Sequence, residues 1–276
     1  MVVGIDLGSR TIKMAAVEGS RLVDFKIAES GYDPYRQSLE MIKGYHPARI
    51  IATGYGRHLA KRHFADAVIT EIKAHALGAR YFFPECRTIL DVGGQDSKVI
   101  ALDGNGRVLN FQMNDRCAAG TGRFLEIMAS SLGYSLSEFG AEALKGSGDI
   151  RISSMCTVFA ESEVISLKNH GTLPADIGKA VHLSVIERLL AMLARVGCGD
   201  AVVFTGGVAK NPAAVKLLQE RLDISILVPE PPDIVGALGA ALHGETNSDS
   251  WITFDGCEDN KPYRCIREEE MHKNIL

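Results

Sequence analysis

The sequence predicts an α/β fold built from two duplicated domains. Two stretches, DLGSRTIK at 6–13 and DVGGQDSK at 91–98, share an aspartate, a glycine two residues later and a closing lysine. Their separation of about 85 residues is too long for a solenoid repeat and suits a duplicated domain. Short apolar strands bounded by glycine surround both stretches, and helical segments follow each set.

The first predicted domain covers residues 1–86 and begins with a meander of three strands. VVGIDLG is typical of a buried strand that ends in glycine, and two more strands follow after short polar turns. The predicted elements are strands at 2–8, 11–19 and 21–30, a helix at 34–44, a strand at 49–54, a helix at 56–64, a strand at 67–71 and a helix at 73–83.

The second predicted domain covers residues 87–232 and repeats the meander before becoming mostly helical. Its predicted elements are strands at 88–94, 97–104 and 107–114, helices at 121–133, 135–144, 157–169 and 175–197, a strand, glycine turn and helix start within 201–211, and a strand at 224–229. A helix of small residues at 233–244 is expected to pack back on the first domain. Residues 245–276 are polar and charged, which indicates a tail or a loosely docked extension.

Charge and hydropathy exclude several classes of partner. The net charge is −4, and residues 245–276 alone carry eight acidic and four basic side chains, so the body is close to neutral. Because no basic skew is present, we expect no nucleic acid and no anionic membrane surface as partner. No apolar run approaches the roughly 20 residues that span a bilayer, and the start lacks the features of a signal peptide. We therefore expect a cytoplasmic protein with cysteines that start as thiols.

Each Asp–Gly stretch places a carboxylate at a strand end, before a turn with small side chains. Glycine lets the backbone approach phosphate oxygens, and hydroxyl and amide side chains add donors. Asp6 and Asp91 suit a Mg²⁺ ion held mainly through water, and Lys13 suits a β- or γ-phosphate. Two unrelated hairpin turns would explain either stretch alone.

FTGGVAKN at 204–211 adds a third glycine-containing turn, after a buried strand and at a helix start. Neither a G-x-G-x-x-G fingerprint nor a Walker A loop is present. Together the three elements and the helix at 233–244 resemble the actin, Hsp70 and sugar-kinase superfamily. That resemblance implies two ribonuclease H-like domains with ATP in the cleft between them. The predicted nucleotide-binding residues are Asp6, Gly8, Ser9, Thr11, Lys13, Asp91, Gly93, Gly94, Gln95, Asp96, Lys98, Gly206, Gly207, Val208 and Asn211.

ATP hydrolysis also needs a group that positions the attacking water. Glu161 and Glu163, in TVFAESEVIS, are the candidates for that catalytic role, although both also fit an ordinary polar helix face. No carboxylate base for a substrate hydroxyl, which a sugar kinase would need, can be assigned.

Two of the six cysteines share a predicted position ahead of a helical stretch: Cys117 in NDRCAAGTGRF comes before a Gly-Thr-Gly turn that opens a helix, and Cys156 in SSMCTVFAESEV comes immediately before a helix. A helix N-terminus favours a thiolate, as in a nucleophile or a metal ligand. Neither site has a histidine in a nucleophile motif. Zinc or an iron–sulfur cluster usually takes four ligands, and two copies related by a two-fold axis would supply them. Buried or incidental thiols remain the alternative at this point.

With these cysteine motifs, the chain over residues 1 to about 244 resembles the activator component of 2-hydroxyacyl-CoA dehydratases, a family that includes ATPase subunits of benzoyl-CoA reductases. The resemblance implies a homodimer that shares one [4Fe–4S] cluster, bound by Cys117 and Cys156 of each chain. It also implies ATP-driven electron transfer from a ferredoxin or flavodoxin to a dehydratase or related reductase. Cys257 and Cys265 lie beyond the matching region and leave a second metal site or a docking segment open. A small-molecule kinase of the amino-sugar type and a non-catalytic ATP-dependent scaffold are the alternatives.

Overall fold

The computed structural model describes residues 1–153 and 156–246. The predictions for Cys257, Cys265 and nearly all of the polar tail therefore lie outside the described residues. Within them the strands and helices follow the predicted order, and most boundaries agree within two residues.

The first sheet has the strand order β3-β2-β1-β4-β5. β1 is antiparallel to β2 and parallel to β4, and β1 is buried along its whole length. The elements are β1 (Val2–Leu7), β2 (Thr11–Glu18), β3 (Arg21–Glu29), α1 (Pro34–Ile42), β4 (Arg49–Thr53), α2 (Arg57–His63), β5 (Ala67–Val68) and α3 (Glu71–Phe82).

The second sheet has the strand order β10-β9-β6-β7-β8, and β9 and β10 are parallel. Its strands and the accompanying helices are β6 (Thr88–Val92), β7 (Ser97–Leu102), β8 (Val108–Asn114), α4 (Gly122–Leu132), α5 (Leu136–Ala143), α6 (Thr157–Asn169), α7 (Pro174–Val196), β9 (Ala201–Thr205), α8 (Pro212–Leu222), β10 (Ser225–Leu227) and α9 (Val235–Glu245).

Small residues let α9 lie directly on the first sheet and on α3. A Cβ at Gly4 of β1 would lie 2.0 Å from the Ala237 carbonyl oxygen, and a Cβ at Gly239 would lie 1.7 Å from the Ala74 carbonyl oxygen. Only glycine allows these backbones to approach so closely. On the other face of the sheet, Met41 and Ile42 of α1 join the buried core of β1 and β2.

Contacts divide the chain into two compact units. Of the described residues, the first contains Met1–Ile89, Ile100–Phe111 and those from Pro229 to Thr246, and so includes α9. The second contains Leu90–Val99 and Gln112–Val228. The predicted boundary at residue 86 thus differs from this division, which returns the chain to the first unit at 100–111.

The third glycine element differs locally from the prediction. The glycine pair does not open an α-helix: Gly207–Lys210 forms one turn of 3-10 helix, and α8 begins later, at Pro212. No helix within the described ranges is long and apolar enough to cross a membrane. The cytoplasmic location stays a prediction.

Candidate functional site

The first Asp–Gly hairpin joins a buried carboxylate to a lysine across two strands. The β1–β2 register places Lys13 opposite Asp6, and the Lys13 Nζ lies 3.3 Å from the Asp6 Oδ2. Ser9 at the tip is exposed, whereas Gly8 and Thr11 are half-buried. The Ser30 hydroxyl donates to the Gly8 carbonyl oxygen at 2.8 Å, which fixes the turn. The hairpin therefore presents one carboxylate and its charge partner beside an accessible turn.

The second hairpin repeats this geometry in the other unit. The Lys98 Nζ lies 3.4 Å from the Asp91 Oδ2 and 2.7 Å from the Asp96 Oδ2. The Gly93 N–H donates to the Asp96 carbonyl oxygen at 2.9 Å and closes the turn, whose tip residue Gln95 is exposed. Lys98 is only 2% exposed, so its charge is held inside the protein by the two aspartates. Lys98 therefore stabilises the hairpin and is also one of the predicted nucleotide-binding residues.

The third glycine element lies against the carboxylate of the second hairpin. The Thr205 hydroxyl donates to the Asp91 Oδ1 at 2.8 Å. Gly206 follows at φ +86°, and a Cβ there would lie 2.4 Å from the Val92 carbonyl oxygen and 3.0 Å from the Asp91 Oδ1. The structure thus brings Gly206 and Asp91 together, as the predicted nucleotide site requires.

The first unit contains a counterpart of this element that sequence reasoning missed. Thr53 pairs with Asp6 in the β1–β4 register, and Gly54 follows at φ +86°. A Cβ at Gly54 would lie 2.3 Å from the Asp6 Oδ1. The signal was present, because ATGYG at 52–56 and FTGGV at 204–208 share a Thr-Gly pair after a buried strand.

Asn211 and Val208 have contacts that serve the fold. The Asn211 Oδ1 accepts hydrogen bonds from the N–H groups of Ala213 and Ala214 at the start of α8. Its Nδ2 lies 3.0 Å from the His182 Nε2. Burial lowers the pKa of His182 to about 4, so the neutral ring accepts this bond. Val208 is buried, whereas Gly207 is exposed. Of these predicted nucleotide-binding residues, Asn211 has its amide committed within the protein.

Both cysteines are exposed, and a helix follows each of them, as predicted. Cys156 is the N-cap of α6. Cys117 lies ahead of a turn that ends at Thr121, the N-cap of α4. The Asn114 Nδ2 donates to the carbonyl oxygens of Cys117 and Ala119, both at 3.0 Å, and so shapes the turn.

One arginine on α7, Arg188, interacts electrostatically with both cysteines. Burial lowers the pKa of the Arg188 guanidinium, and the nearby groups Cys117, Glu187 and Cys156 partly oppose that lowering. The Arg188 Cβ and Cδ would each lie 3.6 Å from a Cβ at Gly120, so the side chain packs on the turn after Cys117. The guanidinium also lies over the Phe124 ring, 5.6 Å from its centroid. Two exposed thiols beside one cation form a donor set suited to an anionic metal–sulfur centre.

This donor set fits half of a four-thiolate cluster. Across the parts of the chain that the structure describes, no three histidine, cysteine or acidic side chains are grouped so that they could hold a metal. If Cys117 and Cys156 bound such a cluster, they would fill two of its four ligand positions, and a second chain would have to fill the others.

The two candidate glutamates hold the surroundings of Cys156 together. The Ser131 hydroxyl of α4 donates to the Glu161 Oε1 at 3.1 Å. Glu163 accepts from the Ser153 N–H at 3.1 Å and from its hydroxyl at 3.2 Å. These contacts attach α6 to α4 and to the segment that precedes Cys156, so each glutamate has a structural task apart from the predicted catalytic one.

Comparison with known proteins gives consistent matches over nearly the whole described chain. The model of the BadF/BadG/BcrA/BcrD ATPase family matches residues 3–244. One of the subunits of the benzoyl-CoA reductase of Thauera aromatica is 32% identical over 262 residues, which cover 87% of this chain and 92% of that protein.

Two solved structures are similar in both sequence and fold. The activator of the 2-hydroxyisocaproyl-CoA dehydratase from Clostridium difficile, with bound ADPNP, is 40% identical with a TM-score of 0.82, and the match covers 88% of this chain and 93% of that one. Component A of the (R)-2-hydroxyglutaryl-CoA dehydratase from Acidaminococcus fermentans is 41% identical with a TM-score of 0.83, over 88% and 96% of the chains. The predicted actin/Hsp70/sugar-kinase-like fold class is thereby confirmed.

Proposed function

The chain belongs to the BadF/BadG/BcrA/BcrD ATPase family, and from this premise we propose that it is an ATP-hydrolysing activator that delivers low-potential electrons to a 2-hydroxyacyl-CoA dehydratase or a related reductase. A [4Fe–4S] cluster shared across a homodimer would carry the electrons. The observation that carries the proposal is that Cys117 and Cys156 are both exposed, each ahead of a helix, in the unit that also holds the Asp91 hairpin.

The nucleotide part of the proposal rests on the duplicated hairpins. Asp6 and Asp91 hold Mg²⁺ through water, while the Gly8, Gly93 and Gly94 backbone approaches the phosphates of ATP or ADP. The half-buried state of these glycines, with exposed tips beside them, leaves room for such an approach. A similar activator binds ADPNP, an ATP analogue, in its solved structure.

The cluster part of the proposal assigns roles to three side chains. Cys117 and Cys156 supply two thiolate ligands from each chain, and the Arg188 guanidinium offsets part of their negative charge. When bound, the cluster supplies a one-electron carrier whose potential depends on hydrogen bonds to sulfur and on solvent exposure.

The homodimer is supported by apolar side chains next to Cys156. Val158 and Phe159, in the first turn of α6, are 66% and 67% exposed. Large apolar groups at the surface favour a protein–protein contact, because burying them releases water. A contact at this place would bring two copies of the cysteine site together.

ATP acts on this site by linkage. A nucleotide shifts a conformational equilibrium only by its differential affinity for the two states. We propose that a ferredoxin or flavodoxin supplies the electrons and that ATP hydrolysis, with Glu161 or Glu163 orienting the attacking water, resets the conformation. Similarity to dehydratase activators and to part of a benzoyl-CoA reductase supports a dehydratase or a reductase as acceptor.

To test the proposal, the full chain and matched variants are purified anaerobically, and their iron, acid-labile sulfide and ATP hydrolysis are measured. We expect Cys117→Ser and Cys156→Ser each to lose the iron and to keep ATP binding, because the hairpins lie on other segments. Cys198→Ser, a half-buried cysteine outside both sites, is the control and should keep its iron.

Two results would contradict the proposal. One is wild-type protein that hydrolyses ATP but contains no iron after anaerobic purification. The other is transfer of phosphate from ATP to an amino sugar by a variant with both cysteines replaced by alanine, which would indicate the kinase alternative.

A further inference from the structure

We propose that Ser97 is a positioning residue that ties the second nucleotide hairpin, at 91–98, to the turn that carries Cys117. Through this tie the nucleotide state acts on Cys117 within one unit of the chain. The inference rests on the proposed function, because it assumes that the hairpin binds a nucleotide and that Cys117 is a ligand.

Three hydrogen bonds connect the hairpin with the turn and with the start of α4. The buried Ser97 hydroxyl donates to the Gly120 carbonyl oxygen at 2.5 Å. The Gly122 N–H donates to the Gly93 carbonyl oxygen at 2.9 Å, and the Arg123 N–H donates to the Gly94 carbonyl oxygen at 2.8 Å. Two N-terminal N–H groups of α4 are therefore bound to the glycines that are expected to approach phosphate.

The start of α4 is closely packed against the hairpin and Val208. A Cβ at Gly122 would lie 3.0 Å from the Gly93 carbonyl oxygen, 3.4 Å from the Gly94 Cα and 3.3 Å from the Val208 Cγ2. Close-packed groups transmit a displacement because they cannot be compressed. If phosphate binding shifts Gly93 and Gly94, the start of α4 has to move with them.

The turn itself is stiff enough to pass this movement to Cys117. The Asn114 Nδ2 holds the carbonyl oxygens of Cys117 and Ala119 at once. On its other side, Gly120 packs on the stem of Arg188. Cys117 lies only three residues before Gly120, so a shift of the Gly120 peptide reaches its backbone.

The duplicated hairpin supplies an internal comparison. When DLGSRTIK and DVGGQDSK are aligned, Ser97 corresponds to Ile12, a fully buried apolar residue of β2. The Gly8 carbonyl oxygen, which corresponds to that of Gly93, accepts from the Ser30 hydroxyl instead of a helix N–H. The hydroxyl at position 97 is thus present in the copy that carries a cysteine turn, and an alkyl side chain replaces it in the other.

The test follows amide hydrogen exchange in a peptide that spans residues 117–125 of the anaerobically purified full chain. Exchange is measured without nucleotide, with ADP and with ADPNP, in wild type and in Ser97→Ala. Ser38→Ala is the matched control, because Ser38 is equally buried and donates to the Pro34 carbonyl oxygen on α1. The affinity for ADPNP is measured for each protein.

We expect ADPNP to slow exchange in this peptide in wild type and in Ser38→Ala. In Ser97→Ala the nucleotide-dependent difference should shrink by about fivefold, the factor expected for the loss of one hydrogen bond. Ser97→Thr, which keeps the hydroxyl, should restore part of the difference. The readout needs no partner enzyme and does not measure activity.

The possible failures are distinguishable. Wild type that binds no nucleotide would overturn the proposed function, and the tie with it. Wild type that binds ADPNP without any change in the 117–125 peptide would overturn the tie alone, even if Ser97→Ala does not fold. An undiminished change in Ser97→Ala would do the same.

Discussion

The most informative single substitution is Gly206→Ala, because Gly206 packs directly against the backbone of the Asp91 hairpin in the predicted nucleotide site. Its backbone angles, φ 86° and ψ 175°, fall in a region that only glycine occupies readily. A methyl group there would lie 2.4 Å from the Val92 carbonyl oxygen and 3.0 Å from the Asp91 Oδ1. The neighbouring backbone would have to move, and the Asp91 carboxylate with it.

The expected loss of stability has two parts. Backbone strain costs about 1–3 kcal/mol, and forcing an added carbon into a packed site costs about 1–3 kcal/mol. Gly206→Ala should therefore lower the free energy of unfolding by about 2–6 kcal/mol. Since the substitution displaces Asp91, the affinity for ATP should fall by at least about tenfold, equivalent to 1.4 kcal/mol.

The matched control is Gly133→Ala, in the same unit. Gly133 also has a positive φ, +83°, but a Cβ there would meet nothing within 4 Å. Gly133→Ala should lower the free energy of unfolding by about 1 kcal/mol through backbone strain and leave the affinity for ATP unchanged. Urea unfolding without nucleotide and calorimetric titration with ATP measure both quantities. Equal losses of stability in the two variants, with ATP affinity intact in both, would refute the reasoning.

Two further predictions concern buried charge and pH. Lys98→Met should lower the free energy of unfolding in urea by about 3 kcal/mol or more, since it removes the cation paired with the buried Asp91 carboxylate. Lys13→Met, at a lysine that is 17% exposed, should lower it clearly less, and equal losses would contradict this explanation. His182 has a pKa of about 4 in the folded protein against an ordinary 6.5, so the unfolded chain binds more protons between these values and stability falls as the pH falls. Between pH 7 and pH 5 this group should cost about 2 kcal/mol, and unfolding of His182→Gln should lack that part of the pH dependence.

The duplicated hairpins could be predicted from sequence because their information is local. An aspartate, a small-residue turn and a lysine seven positions on specify a two-strand hairpin with the two charges opposite each other. The ion pairs at Asp6 and Asp91 follow from that register. Thr53 and Gly54 were missed because a tyrosine follows the glycine, where the other copy has the more conspicuous Gly-Gly pair.

The surroundings of the cysteines were harder to predict, because they depend on contacts between distant segments. Nothing in NDRCAAGTGRF indicates that the N–H groups of Gly122 and Arg123 bind the hairpin carbonyl oxygens instead of lying free at a helix N-terminus. Arg188 lies 71 residues after Cys117, and no motif marks it. The glutamate contacts of α6 are of the same kind. The sequence motifs predict which cysteines are the candidate ligands, whereas packing between distant segments decides which side chains surround them.

We propose that two copies of this ATPase share one cluster through Cys117 and Cys156. The most direct measurement is the native mass of the anaerobically purified full chain. The expected mass is that of two chains plus one [4Fe–4S] cluster, about four iron atoms per dimer, and Cys117→Ser should lack the mass of the cluster. A single iron-free chain that still hydrolyses ATP would contradict it.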